Sequence, residues 1–136
     1  MEDNHIADSR ARTFVAELRR FEQSSDPADL VGLFADDATA TRFDGRGDRT
    51  DVTAFWQEYR AQFDHLSTTF FDAVEGSDQV ALEWTSEATL TDGRPISYRG
   101  VTVLDLAGEQ IARLRTYYDS AAFVAIPAGT GAGSVG

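Results

Sequence analysis

The chain has 136 residues, 23 acidic against 12 basic, for a formal charge of −11, and its 42% hydrophobic content suits one modest core. All 12 basic residues are arginine and there is no cysteine, which excludes lysine Schiff bases, thiolate nucleophiles, thiolate metal sites and disulfides. So acidic a chain also argues against nucleic acid and anionic membranes as partners, since both are bound through clustered cations.

The leading Met1-Glu2-Asp3-Asn4-His5 is acidic and polar, without the apolar core of a signal sequence. No apolar run approaches the roughly 18 residues of a membrane helix, so the expectation is a soluble cytoplasmic protein. Ala7, Ala11, Phe14, Val15, Leu18 and Phe21 then recur at three- and four-residue spacing, predicting a first helix over about 6–23. Ser24-Ser25-Asp26-Pro27 interrupts it and restarts a short second helix, with Asp26 as cap and Leu30, Val31, Leu33 and Phe34 on the buried side. Ala38–Phe43 reads as a strand, followed by the polar glycine loop Asp44-Gly45-Arg46-Gly47-Asp48-Arg49. Thr50 or Asp51 caps a third helix carrying Val52, Phe55, Trp56, Tyr59 and Phe63.

Beyond residue 64 the period falls to 2. Leu66–Val74 and Gln79–Leu90 read as strands about the turn Glu75-Gly76-Ser77-Asp78. In the second strand Val80, Leu82, Trp84, Ala88 and Leu90 share one face, and Glu83, Thr85, Glu87 and Thr89 the other. Thr91-Asp92-Gly93-Arg94 makes a hairpin into Ile96–Leu106, and Ala107-Gly108-Glu109 turns into Gln110–Tyr118. Residues 1–126 thus read as one α+β domain, a curved antiparallel sheet wrapped around N-terminal helices. The tail, 127–136, is glycine-rich and reads as flexible.

Several phrases carry a family likeness: Leu33-Phe34-Ala35-Asp36-Asp37-Ala38-Thr39, Phe55-Trp56, Val80-Ala81-Leu82-Glu83-Trp84, Tyr98-Arg99-Gly100-Val101 with Asp105, and Ile111 through Asp119. Over residues 6–124 their order and spacing resemble the SnoaL-like branch of the nuclear transport factor 2-like superfamily. That resemblance implies a cystatin-like α+β cone with an internal pocket, and a homodimer formed through the sheet. Relatives include steroid isomerases, epoxide hydrolases, polyketide cyclases and members that only bind. The positions matching the ketosteroid isomerase acid–base groups hold Arg42, Phe14 and about Val101, and the limonene-epoxide hydrolase aspartate matches Thr116. Neither chemistry is expected. The polyketide cyclases resemble the chain best, with Asp119 nearest to their last-strand aspartate.

These readings nominate Asp119 as the proton-transferring group, Tyr118 as its orienting partner and Arg42 as the holder of an anionic oxygen. Capping of a terminal helix is the competing role for Asp119, and pairing with Asp44 or Asp37 the one for Arg42. Phe14, Trp56, Tyr59, Trp84, Arg99, Leu114 and Thr116 are placed to line the pocket for a small hydrophobic molecule. His65 stands alone without metal-ligand spacing, so neither a metal nor an organic cofactor is expected. The function expected is binding of such a molecule, with acid/base isomerisation or cyclisation of a hydrophobic carbonyl compound. A non-catalytic module of the same fold is the alternative.

Overall fold

The computed structural model describes residues 6–42 and 47–124. These form α1 (Ser9–Ser24), α2 (Ala28–Val31), β1 (Phe34–Arg42), α3 (Val52–Arg60), β2 (Phe63–Glu75), β3 (Gln79–Leu90), β4 (Pro95–Ala107) and β5 (Gln110–Tyr118). A short 3-10 helix, Ser120–Phe123, follows. Three helices and a curved, unclosed sheet give the expected α+β cone. His5, Asp44, Arg46 and the 127–136 tail lie outside the described residues.

Each helix begins where an acidic side chain takes up free amides. Asp8 accepts from Arg10 and Ala11, and Asp51 from Ala54. Asp26 accepts from the Ala28 amide at 3.1 Å, but α2 lasts only one turn and buries only Leu30. The apolar face of α1 comprises Ala11, Phe14, Val15, Leu18 and Phe21, and it continues into Glu22. Glu22 is the one buried acid among the described residues. Phe63, assigned from its spacing to the third helix, instead opens β2, because α3 stops at Arg60.

The strands lie in the order β1-β5-β4-β3-β2. β2 to β5 form an antiparallel meander, as read from the turns. β1 departs from that pattern and runs parallel to β5, with Arg42 opposite Thr116. No hairpin joins these two strands; a helix and three strands intervene, so no short turn imposes the antiparallel sense.

Registers across the inner face place like chemistry side by side. Thr68, Ser86 and Tyr98 form one row, and Phe70, Trp84, Gly100 and Tyr118 the next. Thr102, Thr116 and Arg42 form a third. An aromatic row is thus flanked by two rows bearing hydroxyls. Gly100 is the hollow in the aromatic row: a Cβ there would sit 2.5 Å from Trp84 Cζ2 and 2.5 Å from the Tyr117 carbonyl oxygen. The absent side chain lets the indole lie across β4, where its Nε1 donates to Thr102 Oγ1 at 2.9 Å.

Candidate functional site

Between α1, α3 and the inner face lies a cavity of about 30 Å³. A single water needs roughly 10–15 Å³ on the same measure, so the space admits a few atoms. Its walls include Leu18, Phe55, Trp56, Phe70, Trp84 and Tyr118, with Glu22, Thr68 and Ser86 on one side and Arg42, Thr102 and Thr116 on another.

Glu22 gives the cavity its acid. Burial pushes its carboxyl up to about 7, against the opposing pull of hydrogen bonds from Thr68 and the charges of Arg19 and Arg60. Thr68 donates its backbone N–H to Oε1 at 3.1 Å and its hydroxyl to Oε2 at 2.5 Å. Near neutral pH both the acid and its carboxylate are therefore populated, the condition a proton-transfer group needs.

Further hydroxyls lie beyond that carboxyl. Thr68 Oγ1 is 2.6 Å from Ser86 Oγ, and Ser86 stands opposite Tyr98 in the β3–β4 register. The phenol of Tyr98 is hydrogen-bonded to that of Tyr59. Desolvation raises both phenols above the ordinary tyrosine range, so both keep their protons at neutral pH.

Arg42 is buried rather than set at a solvated mouth. Its Nη2 donates to the Phe55 carbonyl at 2.7 Å, and its guanidinium carbon lies 3.8 Å from the Phe55 ring centroid and 5.4 Å from that of Tyr59. Of the two carboxylates expected to pair with it, Asp37 is exposed and Asp44 lies outside the described residues. Trp56 adds a donor: its Nε1 is buried and has no hydrogen-bond partner among the described residues.

Trp56, Tyr59, Trp84, Thr116 and Tyr118 line the cavity, as their positions predict. Phe14 and Leu114 are buried beside it as core, with the Phe14 ring centroid 6.3 Å from that of Trp56 and the two planes tilted by 51°. Two nominated residues point elsewhere. Asp119 is exposed and accepts from the Ala121 amide at 3.0 Å, which caps the terminal 3-10 helix. Arg99 is exposed on the sheet's outer face: Tyr98 points inward, and alternation turns the next side chain out. His65 is exposed as well, and makes no side-chain hydrogen bond among the described residues.

Glu22, Thr68, Ser86, Tyr98 and Thr102 were not singled out from the sequence as site residues, yet three of them leave a trace in it. Glu22 stands four residues after Leu18, where the helical stripe calls for an apolar side chain. Ser86 interrupts the inward series Leu82, Trp84, Ala88 and Leu90, and Thr68 sits between Leu66 and Phe70. A polar residue at a core position of the pattern is the signal.

Among the described residues no cluster of three or more acidic, histidine or cysteine side chains could hold a metal ion, and no helix is long and apolar enough to cross a membrane. A family model for the SnoaL-like domain matches residues 12–114. No curated protein matches the sequence. Several solved structures share the fold. An NTF2-like protein from Anabaena variabilis superposes with a TM-score of 0.75 at 16% identity, over 87% of this chain and 91% of the other. A protein of ketosteroid isomerase-like fold from Catenulispora acidiphila, solved with trimethylamine, gives 0.71 at 20% identity, over 80% and 87%. IdmH of Streptomyces antibioticus gives 0.69 at 22% identity, over 85% and 95%.

Proposed function

The chain belongs to the SnoaL-like domain family, and we propose that it admits a small hydrophobic carbonyl compound to the cavity and moves a proton on it, as an isomerase or cyclase does. The observation that carries this reading is Glu22, a buried carboxyl with its pKa raised to about 7 in the wall of a largely aromatic chamber. In this role Glu22 replaces Asp119, which is committed to its cap. Carbon acids next to a carbonyl need a base close to them in strength and a donor for the oxygen that gains charge. Glu22 supplies the base. Trp56 Nε1, which has no protein acceptor among the described residues, supplies a donor. Arg42 and Tyr118 flank the remaining wall, where an anionic oxygen would be held and oriented. IdmH, a proposed polyketide cyclase of the same fold, supports the choice of substrate class.

The cavity falls short of the roughly 300–1,000 Å³ typical of ligand sites. A binding module that performs no chemistry is the second reading, and on either reading the chamber widens as a ligand of that size enters. On the enzymatic reading, the end of the chamber opens at Tyr118 and the segment beyond it. Phe123 lies on Tyr98 and Tyr118 there, with ring centroids 4.8 and 5.8 Å away. Arg94 holds the segment down through the carbonyls of Ala122 and Phe123, at 3.4 and 2.8 Å.

Deuterium exchange separates the readings. Small cyclic β-diketones and aryl ketones are incubated with the protein in D₂O near pH 7, and loss of the α-proton NMR signal is followed. Enzymatic proton transfer gives exchange above buffer that vanishes in Glu22→Gln. Ligand-induced line broadening without exchange identifies the binding module. We also propose a homodimer through the outer sheet face, where Phe71 and Tyr117 are 46% and 40% exposed. Sedimentation equilibrium at micromolar concentration tests it, and a monomer refutes it.

A further inference from the structure

We propose that the end of the cavity formed by Thr102, Thr116 and Arg42 is a second oxygen site, which seats an acceptor oxygen carried by the ligand far from the carbon that Glu22 deprotonates. The substrate class narrows accordingly to flat compounds with two oxygen functions, a carbonyl beside the reacting carbon and a ketone or carboxylate across the ring system. Which end reacts rests on the role given above to Glu22; the oxygen site itself does not.

The site follows from counting protons. An indole N–H only donates, whereas a threonine hydroxyl donates once and also accepts. Trp84 Nε1 donates to Thr102 Oγ1 at 2.9 Å, and Thr102 Oγ1 lies 3.0 Å from Thr116 Oγ1. The two hydroxyls bring two protons to the one hydrogen bond between them. If Thr102 donates, the proton of Thr116 is left over; if Thr116 donates, that of Thr102 is. Neither hydroxyl has a further hydrogen-bond partner among the described residues. Both side chains are buried and both line the cavity. A buried donor without an acceptor is unfavourable, so in either arrangement the pair calls for an acceptor from the cavity.

Arg42 stands opposite Thr116 in the β1–β5 register and lines the same cavity. Its guanidinium carries donors and no acceptor. One of them, on Nη2, is held by the Phe55 carbonyl at 2.7 Å, which fixes the group against that wall.

This end lies apart from the acid. Thr102 stands opposite Leu82 and Tyr98 opposite Ser86, so the rows of Thr102 and Ser86 are separated by four residues of β3. At roughly 3.3 Å per residue that is about 13 Å along the strands. Phe70, Trp84 and Tyr118 fill the row between them as an aromatic wall. A carbonyl oxygen is two bonds from its own α-carbon, so an oxygen in the far row belongs to a second function. Among the described residues no hydrogen bond joins Thr102 or Thr116 to Glu22, Thr68 or Ser86. The spare proton is therefore present when Glu22 is ionised. That is the state that takes the carbon-bound proton and leaves its electron pair on the substrate as an enolate.

The test measures binding rather than turnover. NMR line broadening gives dissociation constants for 6-acetyl-2-tetralone and 6-isopropyl-2-tetralone, which share a shape and a reacting carbon and differ in the remote oxygen. Wild type favours the acetyl compound by about tenfold, at pH 6 and pH 8 alike. The 6-carboxy compound is run beside them, and the tighter of the two acceptors identifies the oxygen as a ketone's or a carboxylate's. Thr116→Val keeps the preference, because the proton of Thr102 becomes the spare one. Trp84→Phe weakens both ligands and keeps their ratio. Adding Thr102→Val and Thr116→Val to Trp84→Phe abolishes the ratio, and Thr102→Ser with Thr116→Ser in that background restores it, which separates lost donors from lost packing. Equal binding of the three compounds by wild type overturns the proposal whether or not any variant folds. So does a preference that survives loss of both hydroxyls, or one that follows the Glu22 midpoint of about 7. A preference without deuterium exchange upholds the oxygen site and removes the proton-transfer reading, and exchange without a preference does the reverse.

Discussion

Thr68 holds both oxygens of the Glu22 carboxyl, one with its backbone N–H at 3.1 Å and the other with its hydroxyl at 2.5 Å. This contact ties the last turn of α1 to the middle of β2. It holds the one described buried acid, on α1, against an inward position of β2 rather than in solvent at the helix surface.

The first consequence concerns pH. The folded-state value near 7 lies above the ordinary 4.5, so the folded protein holds this proton more tightly than the unfolded chain. Stability from the protonated form is complete below pH 4.5 and is lost as pH rises towards 7. The loss from this group is about 3 kcal/mol. Denaturant unfolding at pH 5 and 7.5 should show wild type losing about 2 kcal/mol of it relative to Glu22→Gln. A constant difference between the two proteins refutes the shift.

Gly100→Ala should be costly although it adds one methyl group. The new carbon would stand 2.5 Å from both the Trp84 ring and the Tyr117 carbonyl, and the latter is backbone. We expect a loss of about 2–3 kcal/mol, as for overpacked cores, together with a changed Trp84 environment in fluorescence. Unfolding midpoints unaltered by the substitution would mean that the indole moves aside freely.

Asp119→Asn should leave the exchange reaction and the stability nearly as they are, because asparagine also caps. Asp119→Ala removes the acceptor for the Ala121 amide and should cost up to about 1 kcal/mol, confined to the chain end. Loss of exchange activity in Asp119→Asn would restore Asp119 to the chemistry.

Arg94→Ala removes two hydrogen bonds to the carbonyls of Ala122 and Phe123. Hydrogen exchange of the 120–124 amides should accelerate at least tenfold, while global stability changes by under about 1 kcal/mol. If the segment governs entry, association of an aryl ketone also quickens in stopped-flow fluorescence. Unchanged association would place the entrance elsewhere.

The fold was legible because its signals are periodic. The strands Gln79–Leu90 and Gln110–Tyr118 have the bounds that alternation predicts, and the cone follows from helices preceding a meander. The parallel seating of β1 was hidden, since nothing local records which distant strand a segment will join. The site was legible as a wall, through Trp56, Tyr59, Trp84, Thr116 and Tyr118. The chemistry proposed for it was not legible, because polar residues near a strand's end stand out in the sequence whether or not they face the cavity. Asp119 and Arg99 are conspicuous there but exposed. Glu22 acquires its character only from burial and from Thr68, which lies 46 residues away in sequence.

The pairing of β1 with β5 also bears on how the molecule is made. A ribosome releases the chain from its N-terminus, and the β2–β3–β4 meander can pair hairpin by hairpin as it emerges. β1 cannot find its neighbour until residues 110–118 have been synthesised. Until then one edge of β1 awaits its partner, the kind of exposure that chaperones intercept. Arg42 and Thr116 meet only at that closing step. The chamber is therefore the last part of the protein to exist, and a translational stall before β5 would leave most of the sheet but no completed site.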